Sequence, residues 1–528
     1  MHGVWGCAVL YIQGVIMGNK NMEWEQGRMA PRMPKRAMSP GFVRFTKIWS
    51  IVYVVLLAIF IFTLLTADIL PLVLLVPIIV LLVGASMLIV PELFFANIKK
   101  SRKIIALVLS CILIPIYAYG AIGLGTLSGF FSAITGNEEQ TVTFLVITRK
   151  DSPVKELPEL EGKTVGTYIN EEPVYMAARK KLAEDVSVNF MTSPSITEMA
   201  SSTLVGGFDA TLMTKSHYDM LKDKDKDFRK NTKVLHKFNV KMDEADLAKR
   251  VNVTKEPFNI YISGLDVSGT IDVTSRSDVN MIMTVNPKTH KILLTSIPRD
   301  TVIHMNEKGG AADKLTHTGI YGIGCSLGAV EDLTGLDMNY YVKVNYTTVK
   351  KMVDALGGID VKSDYEFDTH GMKAKFHFNK GWNHLDGEHA LAFARERKSF
   401  PDGDIQRNRN QAKVMTAMLK KATSSRTIMM NYTNILNSTK DYMQTNMSKK
   451  EISSLVKMQI AKNPKWKIRR QNMEGPSTFM QCYSTGDYQV SVVQVSDESL
   501  EKSVKRIKRV MNPPEEESEK EEKKFFFF

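Results

Sequence analysis

Two charged clusters in this 528-residue chain carry the residue types that demanding chemistry needs. The first gathers Asp266, Arg276, Asp278, Arg299 and Asp300, each beside a run rich in β-branched and apolar residues. The second is denser: Arg395, Arg397 and Lys398, then Asp402 and Asp404, then Arg407, Arg409 and Gln411. Arginine forks match phosphate oxygens two at a time. Paired aspartates bind a hard cation such as Mg²⁺, which bridges carboxylates and substrate phosphates. The joint requirement is a polyanionic phosphate with a divalent metal, most simply a pyrophosphate. Surface salt bridging explains either cluster alone as well, but not both in one domain beside apolar neighbours.

Lys314 offers a further phosphate contact. His317 stands among Thr and Gly with no acid–base partner in view, and no GxSxG, HExxH or Cys/His array indicates a serine nucleophile or zinc. Gly322, Gly324 and Gly328 are not spaced as a Walker A or Rossmann loop. Cys7, Cys111, Cys325 and Cys482 show neither CxxC spacing nor disulfide density, and only Cys325 with Cys482 is left as a pair that could bridge.

These side chains need elements to hold them. Residues 259–265, 279–285 and 291–297 read as strands, with Asp266 ending the first, Arg276 and Asp278 leading into the second, and Arg299 and Asp300 leaving the third. In an α/β sheet, groups at strand ends converge on one crevice. An extended 393–398 segment would place Arg395 and Arg397 on one face, because the strand period is two. Asp404 reads as the N-cap of a helix running through Lys421. On it Arg407 and Gln411 stand four apart, Val414, Met415 and Met418 continue that face as an apolar stripe, and the N-terminus favours an anion.

Upstream, residues 48–67, 69–90 and 104–135 pass without a charge. A hydrocarbon core needs roughly 20 helical residues, so each run is long enough to span. Lys35, Arg36, Arg44 and Lys47 precede the first run and Lys99, Lys100, Arg102 and Lys103 the third, against Asp68 alone after the first. Basic short loops stay cytoplasmic, so the N-terminus is expected inside and everything beyond Gly136 outside. The formal charge of +13 would suit nucleic acid, but that export removes it from the relevant compartment.

The expected organisation is a cytoplasmic segment 1–47, three membrane helices over 48–135, and an accessory α/β domain over 140–245. An α/β catalytic domain over 255–424 follows, then a helical and strand extension over 425–510 and a disordered tail over 511–528. Strands alternating with helices in the accessory part predict a small parallel sheet.

The strings "GLDVSGTIDVTSRSDVNMIMTVNP", "LLTSIPRDT", "DKLTHTGIYG" and "FARERKSFPDGDIQRNRNQ" resemble the LytR–CpsA–Psr family of Gram-positive envelope proteins, in its streptococcal capsule-type branch. The likeness covers the spans and accessory domain and is strongest over about 257–422. "LEGKTVGTY" with "GFDATLM" is similar to one lobe of a periplasmic solute-binding protein, although a spacer or oligomerisation unit is the plainer reading. The family resemblance implies a mixed-sheet α/β fold with a hydrophobic tunnel for a prenyl chain. It implies transfer of a glycopolymer, capsular polysaccharide or similar, from undecaprenyl diphosphate to peptidoglycan. It also implies Asp266 and Asp278 as Mg²⁺ ligands, with Mn²⁺ the alternative. Arg276, Arg299, Arg395, Arg397, Arg407 and Gln411 become the pyrophosphate grip, joined by Lys314, while Arg299 and Asp300 become catalytic, Asp300 orienting Arg299. The implied partners are the lipid-linked polymer, peptidoglycan, the bilayer and other capsule assembly proteins, with no nucleic acid. The rival classes are a non-catalytic capsule scaffold, an envelope-related transcriptional attenuator and a hydrolase of the lipid carrier.

Overall fold

Uninterrupted apolar sequence becomes three long helices, Pro40–Ala67, Leu72–Phe94 and Lys100–Thr135, each long and apolar enough to cross a membrane. The structure, a computed structural model, describes residues 38–135, 139–168, 173–193, 195–243, 246–267, 271, 275–370, 374–424, 435 and 438–514. Residues 1–37, the start of the expected linker at 136–138, and 515–528 of the expected tail lie outside the described residues. The chain forms two compact units, one comprising Ser86–Ile112 with the chain up to Val54, the other Val55–Ala85 with everything from Leu113.

In the first unit polar side chains tie helix to helix. Lys103 is fully buried and donates from Nζ to the Leu93 carbonyl at 2.9 Å and to Thr46 Oγ1 at 3.2 Å. Trp49 Nε1 donates to Ser110 Oγ at 2.8 Å. Such bonds hold helices together where water offers no competition. In the second unit, Ala67, Ile69, Phe130, Phe131 and Ile134 pack with Ile452, Val456 and Ile460 of the Lys449–Lys462 helix. Lys457 and Asp68 pair across that contact at 2.5 Å.

Next comes a five-stranded sheet ordered β3-β2-β4-β1-β5, from β1 (Glu139–Arg149), β2 (Thr164–Tyr168), β3 (Asn189–Ser193), β4 (Ala210–Thr214) and β5 (Thr232–Asp243). Only β3, β2 and β4 are parallel; β1 runs antiparallel to both β4 and β5. The expectation of a parallel unit is corrected accordingly. β1 lies between β4 and β5, and the helices Lys215–Lys224 and Lys226–Asn231 carry the chain from β4 across to β5, so the two strands that flank β1 run opposite to it.

The larger sheet takes β6 (Phe258–Leu265), β7 (Ser277–Asn286) and β8 (Lys291–Ile297) as antiparallel neighbours. A hairpin of β9 (Val302–Met305) and β10 (Ala311–Lys314) follows, then β11 (Tyr340–Asn345), which joins β6 in parallel. Small pairings of β12 (Ile359–Ser363) with β15 (Gly381–Leu385), and β13 (Phe367–Asp368) with β14 (His377–Phe378), lie outside the sheet. β16 (Met443–Thr445) and β17 (Lys467–Asn472) complete the six-stranded order β16-β11-β6-β7-β8-β17. Residues beyond 424, expected as an extension, thus supply both edges of this sheet. A last hairpin, β18 (Ser477–Gln481) and β19 (Gln489–Val493), reaches back, and Val493 N–H donates to the Asp300 carbonyl at 2.7 Å.

Cys325 and Cys482 are both buried and are not joined by a disulfide, which closes the one pairing that spacing had left open.

Candidate active site

The pairing directions put one set of residues at one edge of the large sheet. β6, β8 and β11 end there and β7 begins there, so Asp266, Asp278, Arg299 and Tyr346 emerge together. Asp266 N–H bonds the Arg276 carbonyl at 3.0 Å, closing the β6–β7 connection at its base. Arg276 Nη2 then reaches Asp266 Oδ2 at 3.2 Å, while Tyr346 Oη donates to Asp266 Oδ1 at 2.5 Å. The Tyr346 ring carries the Arg395 guanidinium 4.2 Å above its centroid.

Arg299 Nη1 donates to Asp278 Oδ2 at 2.8 Å, and Thr316 Oγ1 donates to the other Asp278 oxygen at 3.1 Å. Asp404 is the hub of the second cluster. Its Oδ2 lies 3.2 Å from Arg407 Nη2 and 3.3 Å from Arg299 Nε, and its Oδ1 lies 3.6 Å from Arg397 Nη1. Asp300 sits between Lys314 Nζ at 2.9 Å and Arg299 Nε at 3.6 Å. Gln411, one turn beyond Arg407, lines an apolar cavity with Arg395, Gly264, Val414, Met415 and Met418. The ten residues given catalytic, pyrophosphate-binding or metal roles in the sequence thus lie together around this sheet edge, Gln411 through the cavity it shares with Arg395. The cavity holds only about 70 Å³, narrower than the tunnel that the resemblance implied.

Electrostatics follow from burial among opposite charges. Burial pushes the Asp278 carboxyl up, but Arg299, Arg407 and Arg276 outweigh it and hold the group below the usual carboxylate range. Burial likewise opposes the charge on Arg299, and Asp278, Asp300 and Asp404 overcome it and raise its pKa. Burial and the nearby Arg299 lower the pKa of Arg407 against the pull of Asp404 and Asp278. The Nε groups of Arg299 and Arg407 are buried without a hydrogen-bond acceptor among the described residues. Buried donors are normally satisfied, so these two suit a site shaped for a ligand's oxygens.

Asp266 and Asp278 are the residues that would hold Mg²⁺, through oxygens that here accept from Arg276, Tyr346, Arg299 and Thr316. Asp266 and Asp278 offer two carboxylates at one sheet edge, and a hard cation of this size takes one or two carboxylates and fills its shell with water and phosphate oxygens. Among the described residues there is no group of three or more His, Cys, Asp or Glu that would hold a metal without substrate.

Three expectations need correction. Residues 393–398 are not extended: Gly387–Arg395 is a helix, capped by Asp386, whose side chain accepts from His389 N–H. Arg395 is its last residue and Arg397 lies in the loop beyond, so they converge through Tyr346 and Asp404, not through strand alternation. His317 does have an acid partner, Asp313, at 2.6 Å from Nδ1. The Asp404–Ala422 helix is capped by Gly403 at φ 47°, which puts Asp404 inside the first turn.

Sequence reasoning passed over Tyr346 and Glu396. Asn345 and Thr348 form a capping box, the signal that would have placed Tyr346 at a helix start on the sheet edge. Glu396 is only 1% exposed, and its Oε1 accepts the N–H groups of Arg397, Lys398 and Ser399 at 2.9, 2.7 and 3.1 Å. Its Oε2 accepts from His370 N–H at 2.6 Å. This carboxylate sets the loop that carries Arg397.

Comparison with known proteins gives a match to the LytR_cpsA_psr family over residues 212–509. The polyisoprenyl-teichoic acid–peptidoglycan teichoic acid transferase TagU of Bacillus anthracis is 37% identical over 203 residues, 38% of this chain and 64% of that protein. The chain thus spans just under two thirds of these Bacillus relatives. TagU of Enterococcus faecalis is 31% identical over 274 residues, 51% of this chain and 85% of that protein. The crystal structure of B. subtilis TagU aligns at 28% identity and a TM-score of 0.39, covering 49% of this chain and 99% of the other. TagT bound to LIIa-WTA aligns at 25% identity and a TM-score of 0.39, covering 50% and 94%.

Proposed function

The chain belongs to the LytR–CpsA–Psr family, and from that premise we propose that it is a membrane-anchored transferase moving a glycopolymer from a polyprenyl diphosphate onto peptidoglycan. The observation that carries this reading is the placement of Arg299, Arg397 and Arg407 around one carboxylate, beside an apolar cavity and at a helix N-terminus. A diphosphate needs the arginines and a prenyl tail needs the cavity. Its present volume admits only a few carbons, and Met281, Met415 and Met418 in its wall are side chains able to repack around more. The relatives named for teichoic acid transfer support the reaction class, and the uncharged runs within the three helices, with basic residues at their ends, support an extracytoplasmic active domain. Capsular polysaccharide as the polymer and undecaprenol as the lipid complete the proposal.

In this mechanism Arg299, Arg407 and Arg397 grip the diphosphate, and Arg276 and Arg395, fixed by Asp266 and Tyr346, bind its outer oxygens. A wall hydroxyl forms a new P–O bond to the phosphorus that bears the polymer, and the P–O–P bond to prenyl phosphate breaks. The polymer leaves with its phosphate, and the hydroxyl proton passes to Asp300, which Lys314 and Arg299 hold in place. Asp266 and Asp278 would hold Mg²⁺, which would supply further neutralisation of phosphate charge. The guanidinium groups stabilise charge on the departing prenyl phosphate, the term that dominates in phosphoryl transfer.

The test is the full chain in detergent micelles with a polyprenyl-diphosphate disaccharide and cell-wall glycan. Release of prenyl monophosphate should depend on the glycan and fall at least a hundredfold in Arg299→Ala. Unchanged transfer in that variant would overturn the proposal, and release without glycan would assign a hydrolase instead.

A further inference from the structure

The Asp404–Ala422 helix has clefts on two sides. Gln411, Val414, Met415 and Met418 face the apolar cavity. Residues roughly half a helical turn away face something different. Ile405 and Asn408 line a cleft of about 160 Å³ that also contains Arg299, Asp300 and Asp404. Farther along the same face, Lys413, Thr416 and Lys420 line a second and larger cavity of about 490 Å³. Both clefts are floored by β17 or the residues just after it, with Asn472 and Glu474 in the first and Arg470 in the second. Arg409 on the same helix bonds Asp402 at 2.8 Å and Glu474 at 3.1 Å, both residues of the smaller cleft.

The larger cavity has a particular chemistry. Lys362, Lys413, Lys420, Lys421 and Arg470 line it against a single lining carboxylate, Asp360. Trp382 stands on its wall with 70% of its surface exposed. β12 and β15 pair Lys362 directly with Trp382, so ring and cation share one face of that two-stranded ribbon. The ordinary explanation of clustered lysines is a solvated surface, and it fails in two respects. Lys413 is 11% exposed in its side chain, tied to Asp364 at 2.5 Å, and burial lowers its pKa and that of Arg470. Lys421 is fixed by the Gly357 carbonyl at 2.9 Å. Cations held half out of water around a roomy cleft, beside an exposed indole, gain more from an anion than freely hydrated ones do.

We propose that this cavity binds an acidic saccharide chain, one sugar ring stacked on Trp382 and its carboxylates or phosphodiesters on the surrounding lysines and Arg470. The inference rests on the transferase reading and deepens it. The helix divides lipid from sugar, and the groove leads the saccharide along β17 to Asp300 and Arg299. The same chemistry could come from the polymer on the lipid or from wall glycan with its peptide carboxylates.

The test is calorimetric binding to the full chain in micelles, with no lipid donor present. Two probes are used, a hexameric oligogalacturonate and muramidase-released wall glycan. Binding of either should weaken at least tenfold in Trp382→Ala and about threefold in Lys362→Ala, and should weaken further with salt. Preference for the uronate assigns the groove to the transferred polymer, and preference for wall glycan assigns it to the acceptor. No binding of either probe, or equal binding by Trp382→Ala, overturns the proposal. The donor site is tested separately, by polymer transfer in Arg299→Ala. If that variant still transfers polymer, the transferase reading fails while the saccharide site is judged on its own binding data.

Discussion

Replacing Glu396 by Gln should loosen the arginine loop without touching an arginine. The carboxylate is 1% exposed and accepts four backbone N–H groups, three on Oε1 and one on Oε2. An amide has only one oxygen. Facing it toward Arg397, Lys398 and Ser399 leaves the new NH₂ against the His370 N–H, two donors with no acceptor. One lost charged hydrogen bond, a stranded buried donor and three weakened bonds together cost about 3 kcal/mol, in line with the penalties for buried unpaired groups. At 1.36 kcal/mol per factor of ten, the protection of those amides should fall about a hundredfold. Hydrogen exchange resolved by mass spectrometry on peptides covering 368–400 measures this in the intact protein. Amides of the membrane helices serve as an internal reference and should not change. Transfer should decline in parallel, because Arg397 is carried by this loop. Protection within threefold of the parent would refute the assignment of Glu396 as the organiser of the loop.

Tyr346 should separate two effects. Tyr346→Phe loses the bond to Asp266 and should raise the donor KM several-fold, about 1 kcal/mol, whereas Tyr346→Ala also loses the ring under Arg395 and should cost about 1 kcal/mol more; equal KM values for the two variants would argue against the stacking. His217 predicts an acid sensitivity. Burial, with Asp313 opposing and His317 adding, lowers its pKa to about 4, while Tyr175 and Thr214 contact Nδ1 at 3.0 Å and the Tyr321 ring packs alongside. The unfolded chain takes a proton near pH 6.5 that the folded chain refuses until about pH 4, so this stabilisation is complete above 6.5 and lost as the pH falls between the two. The loss amounts to about 3 kcal/mol. Thermal unfolding from pH 7 to 4.5 should fall less steeply in His217→Gln, and parallel profiles would count against it.

The charged constellation was legible because strand-end logic needs only the strands and their order of charge. The helix through Lys421 was readable from its periodicity, although its cap is Gly403 and not Asp404. The Gly387–Arg395 helix was not, although its Asp386 cap and the i,i+4 pair Asp313–His317 were both written in local spacing. A short apolar run such as His-Ala-Leu-Ala-Phe-Ala satisfies either period, and length alone cannot decide it. The sheet edges were hidden for another reason. Lys467–Asn472 carries a single apolar residue, Ile468, and takes its register from β8, so its own residues show no alternation that marks a strand. β1 was assigned a direction from the alternation of elements, which does not record that β5 returns alongside it. Non-local pairing is where local reading ends.

The carboxylates in the site explain how so many arginines coexist before a substrate arrives. Arg276, Arg299, Arg395, Arg397, Arg407 and Lys314 face Asp266, Asp278, Asp300 and Asp404, which leaves positive charge in excess. Buried guanidinium groups without partners would be prohibitively costly, so each carboxylate lowers the cost of assembly. Asp404 alone serves three arginines and sits in the first turn of its helix, where an anion is favoured. It therefore occupies ground that a phosphate would contest. An arriving diphosphate brings more charge than one carboxylate and can meet the Nε donor of Arg407, which has no hydrogen bond, and that of Arg299, which has only ion-pair contacts. Removing Asp404 should then have opposed effects: a tighter hold on phosphate from freed arginines, and a poorer site because those arginines lose the group that aims them. In Asp404→Asn, affinity for inorganic pyrophosphate should rise while transfer falls. If both decline together, Asp404 only orients the arginines and does not compete for their charge.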